Sequence, residues 1–97
     1  MIRVEYHPGA LADAHTPSLG MLNAQTEAAA ERFEAELRRA AEFAALLPST
    51  GSPGAGGTRR LRLHGFPHTL IYRFADGLVL VLAVAHERRE PGYWRRR

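Results

Sequence analysis

The first residues of the chain alternate between apolar and charged side chains. The apolar positions have a period of two and are Ile2, Val4 and Tyr6. This period predicts a short strand with one buried face, which His7-Pro8 ends. Proline is tolerated in the first turn of a helix, so Pro8 can open a short helix that carries residues 11–14. The Thr-Pro-Ser sequence at 16–18 then interrupts this helix.

The longest helical pattern is TEAAAERFEAELRRAAEFAALL, residues 26–47, which is rich in strong helix formers. Its apolar residues recur at steps of three and four and predict one buried stripe: Phe33, Leu37, Ala40, Ala41, Ala44 and Leu47. Acidic residues, among them Glu27, Glu31, Glu34 and Glu36, are expected on the solvated face. The following PSTGSPGAGG, residues 48–57, has too few apolar groups to pack and predicts a flexible connector. It is interpreted as a surface insertion, and the alternative is a segment that is mobile or ordered by a partner.

The period changes to two after this connector. Residues 59–64 predict a strand with Leu61 and Leu63 on one face, and residues 68–74 predict a second strand. Asp76-Gly77 is typical of a tight hairpin, and LVLVLAVA at 78–85 predicts the middle strand of a sheet that is covered, at least in part, on both faces. One α+β domain spanning residues 1–97 follows, with helices on one face of the sheet and the other face partly open.

Composition excludes several kinds of site. The 97 residues include no cysteine, so disulfides, thiolate catalysis and cysteine-bound zinc are ruled out. The five histidines lack metal-ligand spacing, and no glycine-rich phosphate-binding loop is present, so we predict neither a metal nor a cofactor. Without a membrane-length apolar run or a signal-peptide pattern, the expected location is the cytoplasm, with no membrane partner.

Charge is distributed unevenly along the chain. Residues 1–48 hold four arginines and seven acids, a net −3, whereas residues 49–97 hold nine arginines and three acids, a net +6. On the predicted open face, Arg60, Arg62 and His64 would line up, with Arg73 on the neighbouring strand. The other candidates follow the central strand: His86, Arg88, Arg89, Tyr93, Trp94 and Arg95 to Arg97. They predict a basic concavity with aromatic surfaces, suited to a nucleic-acid backbone and an unstacked base. The alternatives are a solvated arginine face and a disordered terminal triplet.

His86 allows two interpretations. A histidine that ends a buried strand beside arginines can act as a general acid or base, with a pKa lowered by the neighbouring positive charge. It can also cap the strand end through a hydrogen bond, which is a structural role. The sequence leaves both open.

Four segments carry a resemblance to a known family: ERFEAELRRA, RRLRL, FPHTLIYRF and DGLVLVLAVAHERREPGYWRRR. They are similar to the RelE/ParE superfamily of bacterial toxins from type II toxin-antitoxin modules. The resemblance implies a helical hairpin packed on a small, mainly antiparallel β-sheet. It is weak at residues 8–26, where the sequence at 16–20 interrupts what is usually a regular first helix.

The superfamily includes two activities. RelE-like members are ribosome-dependent endoribonucleases, and the resemblance then implies a catalytic set of Arg60, Arg62, His86, Arg89 and Tyr93. ParE-like members instead poison DNA gyrase. Thr69 and Glu87 stand where RelE-like nucleases carry arginines, and neither supplies positive charge to a phosphorane. The alternative is that His86 compensates, since some ribonuclease members use a histidine near this position. The sequence His86-Glu87-Arg88 also resembles the His-Glu-Arg segment that ends the last strand of ParE-like proteins. The sequence therefore favours the gyrase poison.

The resemblance also implies partners. A cognate antitoxin would neutralise the toxin. An acidic segment of the antitoxin would bind the basic surface through complementary charge. The expected target- or antitoxin-binding residues are Arg60, Arg62, Arg73, Arg88, Arg89 and Trp94. The target would be DNA gyrase, or the ribosome and its mRNA for a nuclease. Growth inhibition and plasmid stabilisation are the expected consequences. A small basic nucleic-acid-binding protein without toxicity is the alternative from outside this class.

Overall fold

The computed structural model describes residues 2–15 and 27–97, and the side chain of His15 is not described. Two helices, α1 (Pro8–His15) and α2 (Glu27–Leu46), pack on one sheet. Its strands are β1 (Arg3–Tyr6), β2 (Ser52–Pro53), β3 (Arg59–Arg62), β4 (His68–Ala75) and β5 (Leu78–His86). The predicted interruption at 16–18 lies outside the described residues.

The sheet has the strand order β1-β5-β4-β3-β2. The β1 strand runs parallel to β5, and every other neighbouring pair is antiparallel. Asp76 and Gly77 form the predicted two-residue hairpin, and both have positive φ angles, 53° and 74°. The predicted α+β architecture is therefore confirmed, with a mixed sheet whose antiparallel pairs dominate.

The main core lies between α2 and the sheet. It contains Phe33, Leu37, Ala40 and Ala44 from the predicted stripe, packed against buried residues of β4 and β5 such as Tyr72. The prediction for Leu47 is wrong, since α2 ends at Leu46 and Leu47 is 55% exposed. Pro48 opens a 3-10 turn directly after it, so Leu47 leaves the helical stripe.

The connector at 48–57 is more structured than its composition predicts. Its central residues form β2, which pairs with β3 at the edge of the sheet. The buried hydroxyl of Tyr72 donates a hydrogen bond to Pro48 O at 2.7 Å and accepts one from Gly51 N at 3.1 Å. The prediction of a connector that does not pack is therefore wrong, because one buried tyrosine anchors its first residues.

A second, smaller core lies on the opposite face of the sheet. Ile71, Leu82 and Ala83 form it together with Trp94, which follows β5. Leu82 is an extra residue on β5, because Ile71 pairs with Ala83 and Tyr72 with Val81. The chain after β5 therefore covers part of the face that the sequence predicts to be partly open.

Candidate functional site

The basic groove lies on the face of the sheet that α2 does not cover. We define it by the residues that line a concavity of about 330 Å³: Gly54, Ala55, Thr58, Arg60, Thr69, Ile71, Ala85, His86, Glu87, Arg89, Glu90, Pro91, Gly92, Tyr93, Trp94 and Arg95. The sheet supplies its floor. The C-terminal segment, which we define as residues 87–97, supplies one wall.

Strand register explains why the floor carries arginines. Arg60 pairs with Ile71 and Arg62 pairs with Thr69, so alternate residues of β3 face the same side as Ile71. Leu61 and Leu63 face the main core, as the period-two pattern predicts. A strand whose apolar residues are buried on one face thus displays guanidinium groups on the other.

Three arginines line the groove: Arg60, Arg89 and Arg95. Within residues 2–15 and 27–97, none of the three forms an ion pair with a carboxylate. Two acids, Glu87 and Glu90, line the same groove, and Glu87 lies 3.8 Å from the exposed guanidinium of Arg62. The groove is therefore positive in balance and also contains carboxylates.

The remaining predicted basic residues lie around this groove. Arg73 lines a neighbouring depression that shares Trp94 and Arg95 with it, and the Arg73 side chain donates a hydrogen bond to Gly56 O. Arg62 is on the floor strand beyond the lining, and Arg88 is exposed outside the lining. The structure thus brings Arg60, Arg89 and the aromatic residues together and places Arg62, Arg73 and Arg88 outside.

Both aromatic residues of the groove are occupied by contacts within the chain. Trp94 is 8% exposed and packs in the second core, while the guanidinium of Arg89 lies 3.8 Å above the Tyr93 ring. The concavity therefore has the aromatic residues that the sequence predicts, but Trp94 is buried and the half-buried Tyr93 ring already contacts a guanidinium, so whether a base stacks here stays a prediction.

The Tyr93 hydroxyl is also committed. It donates a hydrogen bond of 2.8 Å to Asp13 Oδ2. Burial, and then this hydrogen bond to a carboxylate, raise the pKa of Tyr93 well above that of a free tyrosine. A protonated, donating hydroxyl of this kind cannot serve as a general base at neutral pH.

His86 lies at the end of β5 with its side chain almost fully buried. Its Nδ1 accepts a hydrogen bond from Arg88 N at 3.0 Å, which is the strand-capping contact considered from the sequence. Its ring makes an edge-to-face contact with His68, its register partner on β4. Burial, and then the charge of His86, lower the pKa of His68 to about 4. His68 is consequently neutral at physiological pH.

Comparison with known proteins identifies the family. The model of a family described as the ParE toxin of type II toxin-antitoxin system, parDE, matches residues 4–91. The chain belongs to this ParE toxin family. No curated protein matches it in sequence.

A solved structure shows the same fold. A chain described as "Chromosomal ParDE TA system from P. aeruginosa" is 17% identical, and the match covers 89% of this chain and 96% of that one, with a TM-score of 0.58. The resemblance expected from the sequence is therefore confirmed at the level of fold and family. Neither helix in the described part of this ParE-family chain has the length and apolar composition to cross a bilayer.

Sequence reasoning missed Asp13 and its pairing with Arg97. Asp13 is a single acid on a short helix, and Arg97 looked like part of a disordered triplet. In the structure they form an ion pair of 2.8 Å, with side chains 6% and 18% exposed. The pairing joins residues 84 positions apart, so no local pattern could reveal it. The terminal triplet is therefore split, with Arg97 partly buried and Arg95 and Arg96 exposed.

Proposed function

We propose that this protein is the toxin of a type II toxin-antitoxin pair and that it inhibits growth by poisoning DNA gyrase. The basic groove is its working surface. The observation that carries the proposal is the set of three groove arginines without a carboxylate partner in the described chain, in a member of the ParE toxin family. Guanidinium groups left unpaired in a concave surface suit a macromolecule that brings negative charge.

Three features favour a binding mechanism over RNA cleavage. Thr69 and Glu87 line the groove, and neither supplies the positive charge that a phosphorane requires. Tyr93 is held by Asp13, and its pKa is raised rather than lowered. Trp94 is buried in the second core and the Tyr93 ring already contacts the Arg89 guanidinium, so both rings of the groove are engaged within the chain rather than presented to an unstacked base.

A cognate antitoxin would inhibit this toxin by covering the same surface. An acidic segment laid along the groove would approach Arg60 and Arg89, and its flanks would reach Arg62, Arg73 and Arg88. The target and the antitoxin would then compete for binding to the same basic groove. Neutralisation would follow from steric and electrostatic exclusion, without a change in the toxin's fold.

Two assays on the purified protein test the target. In a supercoiling assay, we expect the toxin to inhibit DNA gyrase. In primer extension on mRNA that is being translated, we expect no new cuts. Defined cuts within codons, with supercoiling unaffected, would instead establish the RelE-like endonuclease. Its candidate groups that line the groove are Arg60, His86, Arg89 and Tyr93. Binding to nucleic acid with neither effect, and with no growth arrest, would point to the non-toxic basic protein.

A further inference from the structure

The carboxylate of Asp13 is a meeting point for three parts of the chain. Its Oδ2 accepts hydrogen bonds from Val84 N at 3.1 Å, from the Tyr93 hydroxyl at 2.8 Å and from Arg97 Nη1 at 2.8 Å. Its Oδ1 accepts a further one from Arg97 Nη2 at 3.3 Å. With its side chain only 6% exposed, Asp13 is satisfied within the protein rather than by solvent.

These contacts cover a part of β5 that lies beyond its pairing with β1. The β1 strand pairs with β5 only as far as Val81, and the extra residue Leu82 follows directly. Arg97 Nη1 donates to Leu82 O at 3.0 Å, and Asp13 accepts from Val84 N. The two side chains therefore satisfy backbone groups that no neighbouring β1 residue can reach.

The same contacts attach the C-terminal segment to the rest of the fold. Within that segment, the backbone hydrogen bonds of residues 93, 95 and 97 go to residues 90, 92 and 94, so they are local turns. Trp94 fixes its distal half to the sheet by packing on Ile71, Leu82 and Ala83. The contacts of Asp13 with Tyr93 and Arg97 fix it to α1. The guanidinium of Arg89, which lines the groove, in turn lies 3.8 Å above the Tyr93 ring.

We propose that Asp13 is a positioning residue of the basic groove. It touches no groove ligand itself. By holding Tyr93 and Arg97, it fixes the wall of the groove and the position of Arg89. This inference rests on the proposed function in one respect only, namely that the groove is the surface that binds acidic partners.

Replacing the carboxylate by an amide removes the charge with little change in shape. In the Asp13→Asn variant, Arg97 loses its ionic partner while it remains partly buried. Losing a charge-assisted hydrogen bond is expected to open the segment more often, by about tenfold. The matched control is Asp76→Asn, which makes the same chemical change at an exposed hairpin position and changes the net charge equally.

Three measurements report on the wall without reference to function. Amide hydrogen exchange at residues 93–97 is expected to accelerate by about tenfold in Asp13→Asn and not in Asp76→Asn. Acrylamide quenching of Trp94, the one tryptophan of the chain, is expected to increase. Spectroscopic titration is expected to show the pKa of Tyr93 moving down, because the Asp13 carboxylate contributes to raising it.

Binding of poly-L-glutamate, followed by Trp94 fluorescence, tests the consequence for the groove. Asp13→Asn makes the protein more positive, so bulk charge alone would strengthen the binding of this polyanion. We expect binding about twofold to fivefold weaker instead, as for the loss of one groove arginine, since the wall that carries Arg89 is displaced. The control Asp76→Asn should bind at least as tightly as the wild type, and Arg60→Ala should bind less tightly because it acts on the groove directly.

The outcomes separate the two proposals. Unchanged hydrogen exchange and quenching in Asp13→Asn would overturn the positioning role. So would a loosened segment with undiminished polyanion binding, provided that Arg60→Ala weakens binding. If neither Asp13→Asn nor Arg60→Ala weakens the binding of poly-L-glutamate, the groove is not the surface that binds acidic partners, and the proposed function fails. Should Asp13→Asn not fold, Tyr93→Phe removes one of the four contacts and keeps the ring, and exchange about fivefold faster is then expected.

Discussion

The connector between α2 and β3 should depend on one hydroxyl group, and Tyr72→Phe tests this directly. Tyr72 is fully buried, and its hydroxyl bonds Pro48 O at 2.7 Å and Gly51 N at 3.1 Å. The substitution keeps the ring in the core and removes both hydrogen bonds. The buried amide of Gly51 then has no partner for its proton, which is the costlier of the two losses.

The magnitude follows from those two contacts. One lost hydrogen bond costs about 0.5–1.5 kcal/mol and an unsatisfied buried donor about 1–3 kcal/mol, so the free energy of unfolding should fall by about 2–3 kcal/mol. For a domain of this size, that corresponds to a decrease in Tm of about 10–20 °C. A partly buried tyrosine with no hydroxyl hydrogen bond in the described structure, Tyr6, supplies the matched control Tyr6→Phe.

Urea unfolding, with the slope of free energy against denaturant compared between variants, measures the loss. Hydrogen exchange at residues 50–54 should also accelerate in Tyr72→Phe, because β2 is held to β3 beside this anchor. A loss of less than about 0.5 kcal/mol, or one equal to that of Tyr6→Phe, would show that the connector is not held by the tyrosine.

Three further predictions each concern a single residue. Because the unfolded chain binds a proton at His68 between pH 6.5 and about 4 and the folded chain does not, the free energy of unfolding should fall as pH decreases through this window. We expect urea unfolding at a series of pH values to show a decrease of about 1–3 kcal/mol in the free energy of unfolding, and a smaller pH-dependent decrease in His68→Phe. Gly77→Ala should cost about 1–2 kcal/mol in thermal unfolding because φ is 74° there, whereas Asp76→Asn should be neutral. Arg60→Ala should weaken poly-L-glutamate binding about twofold to fivefold at low salt, and a difference that persists in high salt would argue against a charge effect.

The sheet was predictable because its signals are local. Each strand or hairpin is specified within a few residues. The signals are the alternation from Arg59 to His64, the Asp76-Gly77 turn and the apolar run of β5. The stripe of α2 was equally predictable, apart from Leu47. That residue follows the helical spacing but precedes Pro48, and the turn that begins there directs it to solvent.

The site was predictable only in part. Register places Arg60 on the exposed face, and the sequence supplies Arg89 and Tyr93 near the chain end. The sequence could not show that Trp94 is buried or that Tyr93 contacts Arg89 and Asp13, because these contacts join residues whose proximity has no local pattern. Contacts between distant residues, such as the pairing of Asp13 with Arg97, have no periodic signal.

The acidic face of α2 is also less uniform than its sequence indicates. Glu36 was expected to face solvent with its neighbours, but its side chain is 12% exposed. It accepts hydrogen bonds from the Arg39 guanidinium and from His64 N, and the hydrogen bond from Arg39 is the main cause that lowers the Glu36 pKa. One acid of the helix thus ties α2 to the turn that follows β3.

The central claim is that the guanidinium groups of the basic groove are the working surface of this toxin. Growth after induced expression of the Arg60→Ala/Arg89→Ala double variant tests it most directly. The control is Arg32→Ala/Arg38→Ala, which removes the same charge from the exposed face of α2. We predict that the groove variant loses growth arrest while remaining folded and that the helix variant retains it. Full growth arrest by the groove variant, with arrest lost in the helix variant, would contradict the account and move the working surface to α2.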